Sequence, residues 1–220
     1  MIFGCGHRHS GASPASKEGL ALAELPIRVI GDPVLRRRAA KVAKVDASIQ
    51  ALIDDMIETM RAAGGVGLAA PQIGRSLRVV VIEAPQRLAQ ASADPEEEME
   101  PPPPGSDEVI VLVNPQIVRR TGQRQVTEGC LSVPGYWGEI IRSLKVTVKG
   151  LNRQGHEVRV KGEELLAQAL EHEIDHINGV LYIDYLESVD QLMKVEPKDE
   201  EDPRPAEPSR PPKAKAEATP

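Results

Sequence analysis

Aromatic residues are nearly absent, with one Trp, three Tyr and one Phe making 2% of 220 residues. A core built from this chain must therefore be filled by aliphatic side chains. There are two cysteines, Cys5 and Cys130, too few for a disulfide framework, which points to a reducing, intracellular setting. No apolar run reaches the roughly 18–20 residues of a membrane span. The opening MIFGCGHRHSGASPASKEG lacks the apolar stretch of a secretory signal. Internal repeats are missing too, and a core that carries only +2 is expected to have no strongly basic face that would argue for nucleic acid.

What is plentiful is proline and acid. Nineteen prolines accompany a net charge of −6, but neither is spread evenly. Residues 85–108 (PQRLAQASADPEEEMEPPPPGSDE) hold six prolines, seven acids and one Arg. Residues 196–220 hold seven prolines, seven acids and five bases. Such segments cannot bury enough apolar surface to offset the entropy of ordering, so both are expected to be disordered, as is the Gly/Ala/Ser-rich stretch 1–25. Residues 26–195, less the insert 85–108, are left as a single domain near neutrality, at +2. An insert of this kind costs a fold little, about 0.6 kcal/mol per doubling of loop length.

The clearest helix is DASIQALIDDMIETMRAA, where Ile49, Leu52, Ile53, Met56, Ile57 and Met60 fall on one face. Asp46 is placed to cap its start and Gly64–Gly65 to end it. This N-terminal amphipathic helix is read as core, without chemistry of its own. β-Branched runs predict strands at 77–84, 108–115, 116–122, 144–152 and 156–162, with Pro115 ending its strand and RQG joining the last two as a hairpin. A second helix over GEELLAQALEHEIDHIN closes at Asn178–Gly179, and the ordered chain fades after YIDYLESV. The order predicts an α+β fold, mostly antiparallel strands around a central helix carrying HEIDH, rather than a doubly wound sheet.

HEIDH, residues 172–176, is the strongest chemical signal. Histidines at i and i+4 lie on one helix face, so His172 and His176 can reach one ion, and Glu173 can take a proton from water held there. The bland reading is two incidental polar histidines. Two ligands are too few for a catalytic ion, and the third decides the chemistry. Tyr182 stands where a metzincin protease would have its third histidine. Glu187 lies too near, and Glu196 too far into the tail, for a thermolysin-like site. Cys130, in EGCLS, offers a thiolate that with two imidazoles would leave a fourth position open to water. Cys130 could equally be a small buried hydrophobe, or a nucleophile with His172 as base, though the latter leaves His176 and Glu173 unexplained. A non-catalytic zinc module would need a fourth ligand, and only His156, in the hairpin, is on offer.

A third stretch, GVGLAAPQIG (65–74), lets backbone run close to an extended ligand at Gly65 and Gly67 and presents the amide of Gln72. Taken alone it is an ordinary glycine-rich turn entering a strand, and it lacks the pattern of a phosphate loop. Tyr136 and Trp137 fit a packing role as well as a substrate contact. Cys5, His7 and His9 in CGHRH read as an accidental chelator.

GVGLAAPQ (65–72), EGCLS (128–132) and HEIDH (172–176), in that order, resemble the three signature motifs of the peptide deformylases, with the likeness running through roughly 26–84 and 109–190. The resemblance implies a metal-dependent hydrolase that removes the formyl group from N-terminal N-formylmethionine and releases formate. By the same resemblance Cys130, His172 and His176 would hold one divalent ion, Fe(II) first, with Zn, Ni or Co substituting. Glu173 would be the general base and acid, and Gln72 with the backbone N–H of Leu131 would hold the developing oxyanion. Gly65, Val66 and Gly67 would pair with the substrate backbone, with Gly129 also binding substrate. Its partners would be nascent N-formylmethionyl polypeptides, with transient ribosome proximity and neither membrane nor direct nucleic-acid binding. A bacterial cytoplasmic location is expected over an organellar one.

Overall fold

The computed structural model describes residues 24–83 and 109–195. The disorder expected over 85–108 and 196–220, the CGHRH stretch, and all but the last two residues of the 1–25 extension lie outside the described residues.

In chain order the elements are helix α1 (Ala47–Ala62), strands β1 (Gly67–Ala69), β2 (Val79–Glu83), β3 (Val109–Thr121), β4 (Arg124–Cys130), β5 (Val133–Arg142), β6 (Lys145–Leu151) and β7 (Glu157–Glu163), helix α2 (Glu164–His176), and the short strand β8 (Met193–Lys194). Five strands form one sheet in the order β1-β2-β3-β6-β7, and three form a second in the order β4-β5-β8. Every pairing between these strands is antiparallel. The result is a mixed helix and antiparallel-sheet fold.

The run VVVIE in β2 shows why the larger sheet sits between two helices. All five residues are buried, and successive side chains of a strand point to opposite faces. Val79 and Val81 pack with Ile49, Ile53, Met56 and Met60 of α1. Val80 and Ile82 pack with Leu166, Ala167, Leu170 and Ile174 of α2. Each such aliphatic side chain gains about 1.5–3 kcal/mol on leaving water. A strand covered on both faces reads as a continuous apolar run, whereas β6, covered on one, alternates.

Local chemistry sets the helix limits. Asp46 Oδ1 accepts from Ser48 N at 3.0 Å and Ile49 N at 3.2 Å, capping α1. Gly64 takes a left-handed φ of 66° just beyond its end. Past α2, Gly179 is left-handed at φ 79° and pressed against the backbone of Arg36, where a Cβ would come within 2.8 Å.

Two expectations need correction. Pro115 does not end a strand: β3 runs unbroken through it, so 108–115 and 116–122 are one strand. The ladder to β6 slips between Val113 and Gln116, a bulge that removes any need for an N–H at 115. Asn114 takes φ 55° there, and its side chain clamps both the N–H and the carbonyl of Val42 at 2.9 and 2.8 Å. Strands β4 and β5, which carry the cysteine, were not anticipated from the sequence pattern at all.

Candidate functional site

Cys130 is the last residue of β4, and the two-residue turn Leu131–Ser132 leads into β5. This hairpin lies against the C-terminal half of α2, where helical spacing puts His172 and His176 on one face. Cys130, His172 and His176 each present a donor atom, all within 4.8 Å of one another. The Cys130 Sγ is 3.2 Å from His176 Nε2, and the two imidazole rings stand edge to face with centroids 4.9 Å apart. His156 is elsewhere, exposed at the β6–β7 turn, and the group among the described residues has three members.

Behind the cluster is a charged network that the motifs did not reveal. His172 Nδ1 meets Glu128 Oε2 at 2.8 Å, which fixes the ring and leaves Nε2 for the cluster. Arg142 holds Glu128 with two bonds, Nε to Oε1 at 2.8 Å and Nη2 to Oε2 at 3.0 Å. The same guanidinium donates to Asp175 Oδ2 at 2.6 Å, an oxygen that also accepts from Tyr185 OH at 3.0 Å. Burial works against the Glu128 carboxylate, but the bonds from His172 and Arg142 outweigh it and hold it down at about 2. Burial likewise opposes a charge on His172, yet its bonds to Cys130 and Glu128 raise it well above the ordinary imidazole value. Burial and the adjacent His172 push His176 well below that value.

Glu173 is 4% exposed, and its Oε2 has no hydrogen-bond partner among the described residues. Burial pushes its carboxyl up to about 7, with Glu128 and Asp175 adding to the rise and His172 opposing it. A carboxyl so poised can exchange a proton near neutral pH. Its space is made by Gly67: a Cβ there would stand 2.5 Å from Glu173 Oε1, so only glycine fits.

Gln72 is 1% exposed and oriented by its backbone surroundings. Its Oε1 accepts from Ala69 N at 2.8 Å, which turns Nε2 toward Ser132 Oγ at 3.3 Å and Cys130 Sγ at 3.7 Å. Strand β1 is an edge of its sheet. Glu83 N bonds Val66 O on the β2 side at 2.9 Å, and antiparallel alternation then turns the N–H and carbonyl of Gly67 toward the free edge. A cavity of about 520 Å³ opens beside that edge, lined by Gly65, Val66, Gly67, Gln72, Gly129, Cys130, Leu131, His172 and Glu173 among others. His176 is buried at 1% exposure and does not line the cavity. Tyr136 lines it, and Trp137 does not.

Every residue singled out from the three motifs thus lies in or directly behind one cleft. Glu128 could have been suspected, since it lies two residues before Cys130 and shares its side of a strand. Arg142 and Asp175 carried no such signal, because their pairing depends on how the second sheet meets α2. Three convergent donors, a buried carboxylate and a fixed amide beside an open strand edge make a hydrolytic type of site.

Comparison with known proteins gives that class a family. The polypeptide deformylase family profile matches residues 24–192. A peptide deformylase of Dehalococcoides mccartyi strain CBDB1 is 52% identical over 179 residues, 81% of this chain and 93% of that relative. One from Halothermothrix orenii is 46% identical over 169 residues, covering 77% and 97%. Among solved structures, a Legionella pneumophila peptide deformylase matches with TM-score 0.66 at 44% identity, covering 77% of this chain and 89% of that one. A Met-Ala-Ser-bound peptide deformylase from Acinetobacter baumannii matches with TM-score 0.64 at 31% identity, covering 75% and 99%. The chain belongs to the peptide deformylase family and is a hydrolase.

Proposed function

We propose that this protein removes the formyl group from N-terminal N-formylmethionine of newly made polypeptides, with Cys130, His172 and His176 holding one divalent ion. The observation that carries the reading is the convergence of those three donor atoms within 4.8 Å, beside the buried Glu173. A thiolate and two imidazoles suit a transition ion, and the Glu128 bond to His172 is the support such ligands ordinarily have. Bound there, the ion lowers the pKa of water toward about 7 and so supplies a nucleophile near neutral pH. We assign Fe(II) on the family resemblance, with Zn, Ni or Co as substitutes.

The chain's own groups do the rest. Glu173 takes the proton of the attacking water and passes it to the leaving amine, for which a carboxyl near 7 is well matched. Gln72 Nε2 and the N–H of Leu131 donate to the formyl oxygen as charge develops on it. The free edge at Gly65, Val66 and Gly67 adds the substrate backbone as a strand, with Gly129 across the cleft. The Acinetobacter baumannii relative, bound to Met-Ala-Ser, supports a methionyl peptide in this cleft. Residues 26–195, apart from 85–108, are the catalytic unit. Nascent chains place its work in the bacterial cytoplasm, in transient proximity to the ribosome. Among the described residues no helix is long and apolar enough to cross a membrane.

The test is formate release from a formyl-Met peptide by protein loaded anaerobically with each metal in turn. Release from the formylated peptide, with no cleavage of its unformylated counterpart, is the expected result. Protein that binds the ion but releases no formate sinks the activity, and full activity in Glu173→Ala sinks the role given to Glu173.

A further inference from the structure

A net charge near neutrality over residues 26–84 and 109–195 averages over faces, and folding does not preserve that average. Two adjoining concavities, of about 580 and 330 Å³, share Lys41 and Gln116. Their lining gathers Arg38, Lys41, Arg78, Arg120, Lys149 and Arg159, and among the described residues the only acid lining either is Glu157. Neither shares a lining residue with the cleft that holds Cys130 and Glu173. Arg120 has a counter-ion, the buried Glu171 at 2.7 Å.

Arg78 has none among the described residues, although it is only 6% exposed. Its bonds run to neutral oxygens: Ile177 O at 3.3 Å, Asn178 Oδ1 at 2.9 Å and Pro115 O at 3.1 Å. The end of α2 beside it contributes only about half a negative charge. Burial and the neighbouring Arg38 pull its pKa below the ordinary arginine value. A buried guanidinium without a counter-ion, at the floor of a hollow rimmed by further cations, is an arrangement that an oxyanion completes.

We infer that this groove binds the phosphodiester backbone of a polynucleotide. Two joined hollows and five cations besides the paired Arg120 exceed what a single phosphate needs, and suit a run of successive phosphates. Among the described residues no aromatic side chain lines either hollow. Bases therefore have nothing to stack on, and the binding is electrostatic and indifferent to sequence.

The experiment is fluorescence anisotropy of a labelled single-stranded RNA with the full chain, over a series of salt concentrations. The comparison is with Arg38→Gln/Lys41→Gln, two exposed positions whose change leaves the core intact, and with Arg28→Gln, an exposed arginine that lines neither hollow, as the control. Wild type binds with a steep salt dependence, whatever the sequence. The double variant binds more weakly, and its slope of log K against log salt is shallower by about 1.4, two contacts at roughly 0.7 each for a single strand. Arg28→Gln leaves slope and affinity unchanged. An unaltered slope in the double variant, an equal loss in the control, or binding of inorganic phosphate without binding of RNA would each overturn the assignment. Thermal midpoints of both variants distinguish a lost contact from a lost fold.

Discussion

Helices α1 and α2 lie against opposite faces of the same sheet, yet they bury different chemistry. Beneath α1 the buried side chains are Ile49, Ile53, Met56 and Met60, with Thr59 the lone polar one. α2 buries Leu166, Leu170 and Ile174 toward the same sheet, but also Glu171, Glu173, Asp175 and His176. Buried charge is costly unless paired. Most of it here is paired, through Arg120, Ser143 and Arg142. The exceptions are Glu173 Oε2 and His176 Nδ1, neither with a hydrogen-bond partner among the described residues. One face of the sheet is thus optimised for packing. The other gives up packing to hold ionisable groups at chosen positions.

The sharpest way to break this contrast is Glu173→Gln. If the carboxylate is there for proton transfer, formate release falls by about 10²–10⁴ while bound metal is retained. Stability should stay level or rise, because a buried unpaired charge is gone. A variant that is active, or one that unfolds, places Glu173 among the structural residues instead.

Arg142→Met tests the paired charges. It strands Glu128 and Asp175 together, and a loss of about 3–5 kcal/mol in denaturant unfolding is expected. Metal content should drop as well, since Glu128, the carboxylate that orients His172, loses the guanidinium that holds it in place. Unchanged metal affinity would show that the network serves the fold alone.

On the opposite face, Ile53→Ala should cost about 2–5 kcal/mol by leaving a cavity. Turnover per folded, metal-loaded molecule should not change, and a selective fall in turnover would erase the distinction between the faces. The smallest effect belongs to Asp46→Asn at the start of α1. Bonds from Ser48 and Ile49 hold the Asp46 carboxyl below its usual range. Its contribution is therefore present above that range and lost as pH falls through the depressed value. The thermal midpoint of the variant should lie slightly below wild type at neutral pH, and the gap should close on acidification.

These two helices were readable in the sequence because each carries a regular apolar stripe against one sheet. The β4–β5 hairpin was not. Its inward positions include Glu128 and Arg142, 3% and 4% exposed, where a strand pattern expects hydrophobic residues. Each is tolerable inside only because the other is there. β3 misled for a different reason: Pro115 is ordinarily a strand breaker, and the bulge that accommodates it depends on Asn114 reaching back to Val42. Gly67 could be suspected from its motif, but the side chain it makes room for is 106 residues away in α2.

Linear order was therefore enough to single out residues that the fold gathers in or behind one cleft, because spacing within one helix, as in HEIDH, is set by local geometry. It also sets the acidic, proline-rich segments 85–108 and 196–220 apart as an expectation, and both lie outside the described residues. Tertiary contact supplied the rest: the hairpin that carries Cys130 to the histidines, the Arg142 network behind them, and the gathering of basic side chains into one groove. Charge and burial act through space, across distances that the chain crosses only by folding.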